Sequence, residues 1–113
     1  VQTQTPAQRV AVYNSILADS TRAITQTCIG LQKSGTLTAA QTSAVLDYLY
    51  KIAAASQAIA LWQKSDRPWS EVAPQIQALL VKITPPGDTV AALTTSVTAI
   101  MVQVQAILVE VRR

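Results

Sequence analysis

The chain has 113 residues, half of them apolar, with a formal net charge of +3, one cysteine and no histidine. A single domain of this length can bury a core without staples, and one cysteine excludes an intrachain disulfide. Charged residues make up only 13%, well below the ~25% of average soluble domains, which argues against a charge-solvated disordered tail. The nine basic residues are scattered and offer no cluster to neutralise several phosphates together, which argues against a nucleic-acid partner.

The chain opens at Val1 on the polar stretch "VQTQTPAQR". It reads as the tether of a processed exported protein, with residues 1–6 as a leader to one helical domain that makes up the rest of 1–113. A removed or missing N-terminal anchor would then tie it to a membrane, although a cloning boundary would leave the same start.

The first helix is predicted to begin near Pro6 or Ala7. Thr5 is a suitable N-cap, and Pro6 suits a first turn because its missing N–H has no intrahelical acceptor there. Val10, Tyr13, Leu17, Ile24, Cys28 and Leu31 follow helical steps and form one stripe. Val12, Ile16 and Ile29 are expected to widen it. Lys33 falls in the last turn, and Gly35 can adopt the left-handed conformation that ends a helix. On this stripe Cys28 reads as a small core hydrophobe; the alternative is a reactive thiol.

In "SGTLTAAQ", Thr38 is the expected N-cap of a second helix, with Gln41 three residues later as a capping box requires. That helix is predicted from Ala39 to about Lys64. Val45, Leu49, Ile52, Ile59 and Trp62 mark its apolar face, flanked by Leu46, Ala53 and Ala60. Tyr48 and Tyr50 fall on different sides, so at least one ring should lie partly outside the core. "QKSDRPWSE" breaks the pattern, with Asp66 or Ser70 as a possible cap. A third, shorter helix is predicted from Glu71 to Ile83, with Pro74 in its first turn and Val72, Ile76, Leu79, Leu80 and Ile83 apolar. "TPPGD" stops it, and Asp88 is the natural cap of the last segment.

In that last segment Val90, Leu93, Val97, Ile100, Val104, Ile107 and Val111 alternate steps of three and four. This is a heptad seam. A strand would need period two. The stretch between Asp88 and Glu110 is uncharged and long enough to cross a bilayer. Gln103 and Gln105 would be costly there without partners, so a helix covered by protein is the preferred reading. Met101, Val102, Leu108 and Val109 add apolar surface beyond the seam. Whatever the other helices leave open, a second subunit must cover. The fold predicted is all-α: an antiparallel helical bundle of three long helices and one short one.

Chemistry-bearing patterns are few. The six acids, Asp19, Asp47, Asp66, Glu71, Asp88 and Glu110, are scattered, and nothing selects a catalytic pair among them. No phosphate-cradling loop or dinucleotide fingerprint is present, so neither a cofactor nor a metal site is expected. The candidate interaction residues are Arg67, Trp69, Val102 and Val109. Trp69 beside Arg67 has the composition of a binding hot spot; the competing reading folds Trp69 inward as a lid over one end of the bundle. Trp62 is expected in the core.

A helix ending in Ser-Gly, a Leu-Thr-x-x-Gln cap and an Ala-rich second helix occur together in "LQKSGTLTAAQTSAV". With the polar leader, this resembles small phage- and prophage-encoded lipoproteins or exported proteins of unknown function. The resemblance implies a short helical bundle outside the cytoplasm, in the periplasm, the envelope or a virion. The function expected is non-catalytic and structural, through contacts with protein partners or self-association of the C-terminal helix. The alternatives are a membrane-active lysis or envelope factor that inserts this helix, and a small enzyme using Cys28.

Overall fold

The computed structural model describes residues 4–86 and 91–112, with the side chain of Ala92 excepted. Four helices follow one another: α1 (Pro6–Lys33), α2 (Ala39–Lys64), α3 (Trp69–Leu80) and α4 (Ala91–Val111). No strand occurs among the described residues. The fold is the predicted all-α bundle of three long helices and one short one.

Local chemistry sets the first two helices. The Thr5 hydroxyl accepts from the Gln8 N–H at 3.2 Å, and Gln8 Oε1 accepts from the Thr5 N–H at 2.8 Å. Thr38 and Gln41 repeat this reciprocal box at 3.1 and 3.0 Å. Each box satisfies two N–H groups that a helix start would otherwise leave orphaned. α1 starts at Pro6, one of the two predicted starting positions. At the other end of α1, Gly35 takes φ +84°, Thr36 N–H reaches Leu31 O at 2.9 Å and Gly35 N–H reaches Gln32 O at 3.1 Å. This is a Schellman closure. It turns Leu37 inward, where it is buried.

α3 departs from its predicted bounds at both ends. Its N-cap is Pro68, with no side-chain hydrogen bond, where Asp66 or Ser70 was expected. The Pro68 carbonyl instead accepts from the Glu71 and Val72 N–H groups. Starting at Trp69, the helix places Pro74 beyond its first turn, on the solvent side. It stops at Leu80, before Ile83: Val81 is its C-cap, and the Ile83 N–H turns back onto Leu80 O at 3.2 Å. Asp88 and Val90 lie outside the described residues.

Packing runs around a ring. α1 lies between α2 and α4, and α3 closes the far side against both. Asn14 meets Ser56 and Ala7 meets Gln63, so α2 descends as α1 rises. The first turns of α1 also meet the last turn of α4, at Arg9 and Glu110. With 12 residues α3 is about 18 Å long, against about 39 Å for the 26 residues of α2. It therefore closes only half of its side. Thr84, Pro85 and Pro86 continue along the N-terminal half of α2, facing Ala44, Tyr48 and Lys51 across a shallow groove.

Leu17, Leu49, Ile52, Ile59, Ile76, Leu80, Leu93, Ile100 and Ile107 fill the axis of the ring and are buried. Each contributes roughly 1.5–3 kcal/mol of apolar burial. Tyr48 is buried, whereas Tyr50 is exposed, as their phases require. Val12, Ile16 and Ile29 correct the expected width of the α1 stripe: all three face outward. Among the described residues α1 packs chiefly against α2 and α4, so its buried arc is narrower than its apolar pattern.

Candidate functional site

Two surfaces carry the candidate residues. The first is a cleft of about 240 Å³ where the start of α1, the end of α2 and the start of α3 meet. Its lining includes Trp62, Trp69, Val72 and Arg67, with Ala7 and Ala11 leaving space opposite. The connection after α2 creates it. The Ser65 hydroxyl donates to Trp62 O at 2.6 Å and closes α2. Pro68, at φ −66°, then sets the chain to start α3 with Trp69 as its first residue. The two indoles, seven positions apart in sequence, come to one rim.

Each indole is half-buried and packs against the core while still lining the cleft. Trp69 therefore folds partly inward, as the lid reading expected, and keeps part of its ring on the cleft. Trp62, expected in the core, is likewise shared between core and cleft. Nearby glutamines are committed elsewhere. Gln8 serves the Thr5 cap, and Gln63 Nε2 donates to Ala7 O at 2.9 Å, tying the end of α2 to the start of α1. The Arg67 side chain is exposed, and its guanidinium makes no ion pair or hydrogen bond with any described residue.

The second surface is the outer side of α4. Val102 is 59% exposed and Val109 49%, seven residues apart on one face. Met101 is also exposed, but Leu108 is buried and leaves that surface. Among the described residues, none from α4 lines the tryptophan cleft. The four candidate residues thus form two separate surfaces, Arg67 with Trp69 and Val102 with Val109.

Cys28 is fully buried. Desolvation pushes its thiol above the ordinary value, which favours the neutral, poorly nucleophilic form. Among the described residues, no three His, Cys, Asp or Glu side chains gather where they could hold a metal ion. Glu110 is the acid that sequence reasoning passed over. It is buried and bonded to Arg9 at 2.8 Å.

Leu93–Val111 is long and apolar enough to cross a membrane by length and composition. Its seam residues Leu93, Val97, Ile100, Val104, Ile107 and Val111 are all buried in the bundle, against α1 and α3.

Comparison of the chain with protein-family models, with curated proteins and with solved structures found no match in any of the three.

Proposed function

We propose that this protein is a non-catalytic contact module, exported to the envelope or carried in a virion, whose helical bundle displays surfaces for other proteins. The tryptophan cleft carries the reading. Trp and Arg dominate binding energy where proteins meet, and here two indoles share one rim with a guanidinium that has no partner among the described residues. At about 240 Å³ the cleft is smaller than the ~300–1,000 Å³ of typical small-molecule sites. That size suits one large apolar side chain of a protein partner better than a cofactor. The low charge of the chain and its likeness in style to small phage-encoded exported proteins support the location.

A photoreactive benzophenone side chain at Ala11, on the cleft lining, tests this in the source cells. A discrete protein adduct that disappears in Trp69→Ala is the expected result. Adducts unaffected by Trp69→Ala, or none, would contradict the reading.

Insertion of α4 into a membrane is the second reading, favoured by its length and hydropathy. It requires the buried seam to leave α1 and α3, so contact through the assembled bundle takes precedence.

A further inference from the structure

The chain has two tryptophans, Trp62 and Trp69, and both line the one cleft. Arg67 lines it as well and is the only charged side chain there among the described residues. Asp66 and Glu71, the acids nearest to it in sequence, stay outside the lining. The Arg67 guanidinium has no ion pair or hydrogen bond to any described residue. α3 starts at this rim without a side-chain cap, so no side-chain acceptor is placed there to offset the positive charge. An apolar hollow and an uncompensated cation therefore stand side by side.

We propose that the occupant of this cleft is the C-terminal residue of a partner protein, a large apolar residue whose side chain lies against the indoles while its free α-carboxylate meets Arg67. This rests on the contact reading above and names the chemistry of the partner. Charge selects the carboxylate. A guanidinium takes a carboxylate through two parallel N–H···O bonds, stronger than bonds between neutral groups. A basic segment in the cleft would meet Arg67 as a like charge, and an apolar one would strip it of water with nothing in return.

Size and outline select a chain end. The cleft, at about 240 Å³, has room for one large side chain. Its lining is confined to the first two turns of α1, the last turn of α2 and the first turn of α3, with Arg67 between the last two. Gln63 and Ala7, both in that lining, are bonded to each other and tie α2 to α1. The cleft is thus a local hollow at one end of the bundle. A strand or helix in passing needs a groove that runs on; a terminus does not. An internal acid would also carry its carboxylate on a different residue from the apolar side chain, and ordering a second side chain costs further entropy. At a C-terminus both groups stand on one Cα.

Indole fluorescence tests the proposal, because Trp62 and Trp69 are the only tryptophans and both report from the cleft. The probes are acetyl-Gly-Gly-Phe with a free C-terminal carboxylate and the same peptide as its carboxamide, each titrated into the full chain through the millimolar range. A saturable change is expected with the free acid, roughly tenfold or more tighter than with the carboxamide. Arg67→Gln should weaken acid binding roughly tenfold and bring the two peptides level. Arg22→Gln removes the same charge at an exposed position on α1 and should change nothing. Both arginines are exposed, and unchanged helical circular dichroism establishes that the variants fold. Equal affinity for acid and carboxamide overturns the proposal, as does the lack of a saturable change with either, or an equal loss in Arg22→Gln. If any of these results accompanies a Trp69-dependent adduct at Ala11, recognition of a C-terminus fails while the contact reading stands.

Discussion

Arg9 Nε donates to Glu110 Oε2 at 2.8 Å, joining the first turns of α1 to the last turn of α4 across 101 positions of sequence. The pair closes the ring of helices at its end. The Glu110 side chain is 5% exposed and that of Arg9 22%. Breaking a buried pair costs roughly 3–5 kcal/mol because the survivor is stranded. Arg9 keeps some water, so Glu110→Ala is expected to destabilise by about 2–3 kcal/mol in urea unfolding. Arg9→Met with Glu110→Leu should recover most of that loss. A double variant as unstable as the sum of the singles would show that the pair is not one unit.

Asn14 and Ser56 make the second polar tie. Asn14 Nδ2 donates to Ser56 O at 3.0 Å, and the Ser56 hydroxyl donates to Asn14 Oδ1 at 2.8 Å. Both residues are buried between α1 and α2. Ser56→Ala leaves Asn14 Oδ1 unsatisfied and should cost about 1–3 kcal/mol. Asn14→Ala removes the donor as well and should cost at least as much. A double-mutant cycle by chemical denaturation should give a coupling of about 1 kcal/mol or more. Strict additivity would refute the reciprocal geometry.

Burial raises the pKa of Cys28, ordinarily 9.0, and of Tyr48, ordinarily 10.0. A raised pKa in the folded state means the unfolded chain ionises first. The contribution of each group is therefore complete below its ordinary value and is lost as pH climbs toward the folded one. Stability should be flat near neutrality in this respect and fall above about pH 9. Cys28→Ala and Tyr48→Phe should each flatten that alkaline decline, read as the urea midpoint against pH. An unchanged slope in both variants would mean that neither group drives it.

Gly35 closes α1 at φ +84°, with open space around the position where a Cβ would stand. The cost of a side chain there is conformational alone. Gly35→Ala should lower stability by roughly 1–2 kcal/mol, and Gly35→Asn by less, because Asn tolerates the left-handed region better. Equal losses in thermal unfolding would point to a steric cause.

Legibility followed the range of the interactions. Thr5, Gln8, Thr38 and Gln41 act within three residues, so the starts of α1 and α2 could be read directly. The seam of α4 could be read because its period repeats from Leu93 to Val111. α3 was misplaced because Pro68 caps it through backbone alone, and because Ile83 keeps the helical period after the chain has turned. Asn14, Ser56, Arg9 and Glu110 carried no signal, since their partners lie 42 and 101 positions away. Val12, Ile16 and Ile29 were over-read because the width of a buried stripe depends on the number of neighbours. The cleft was half legible: Arg67 and Trp69 stood out by composition, but only the turn after Ser65 brings Trp62 to the same rim.

The account depends most on α4 hiding its seam in protein, with its other side open. Single cysteines at Ile100 and at Gln105, each in a Cys28→Ala background, measure this by maleimide labelling with and without anionic lipid vesicles. Ile100→Cys should label orders of magnitude more slowly than Gln105→Cys, and vesicles should change neither rate. Comparable rates at the two positions, or protection of Gln105→Cys by vesicles, would contradict it.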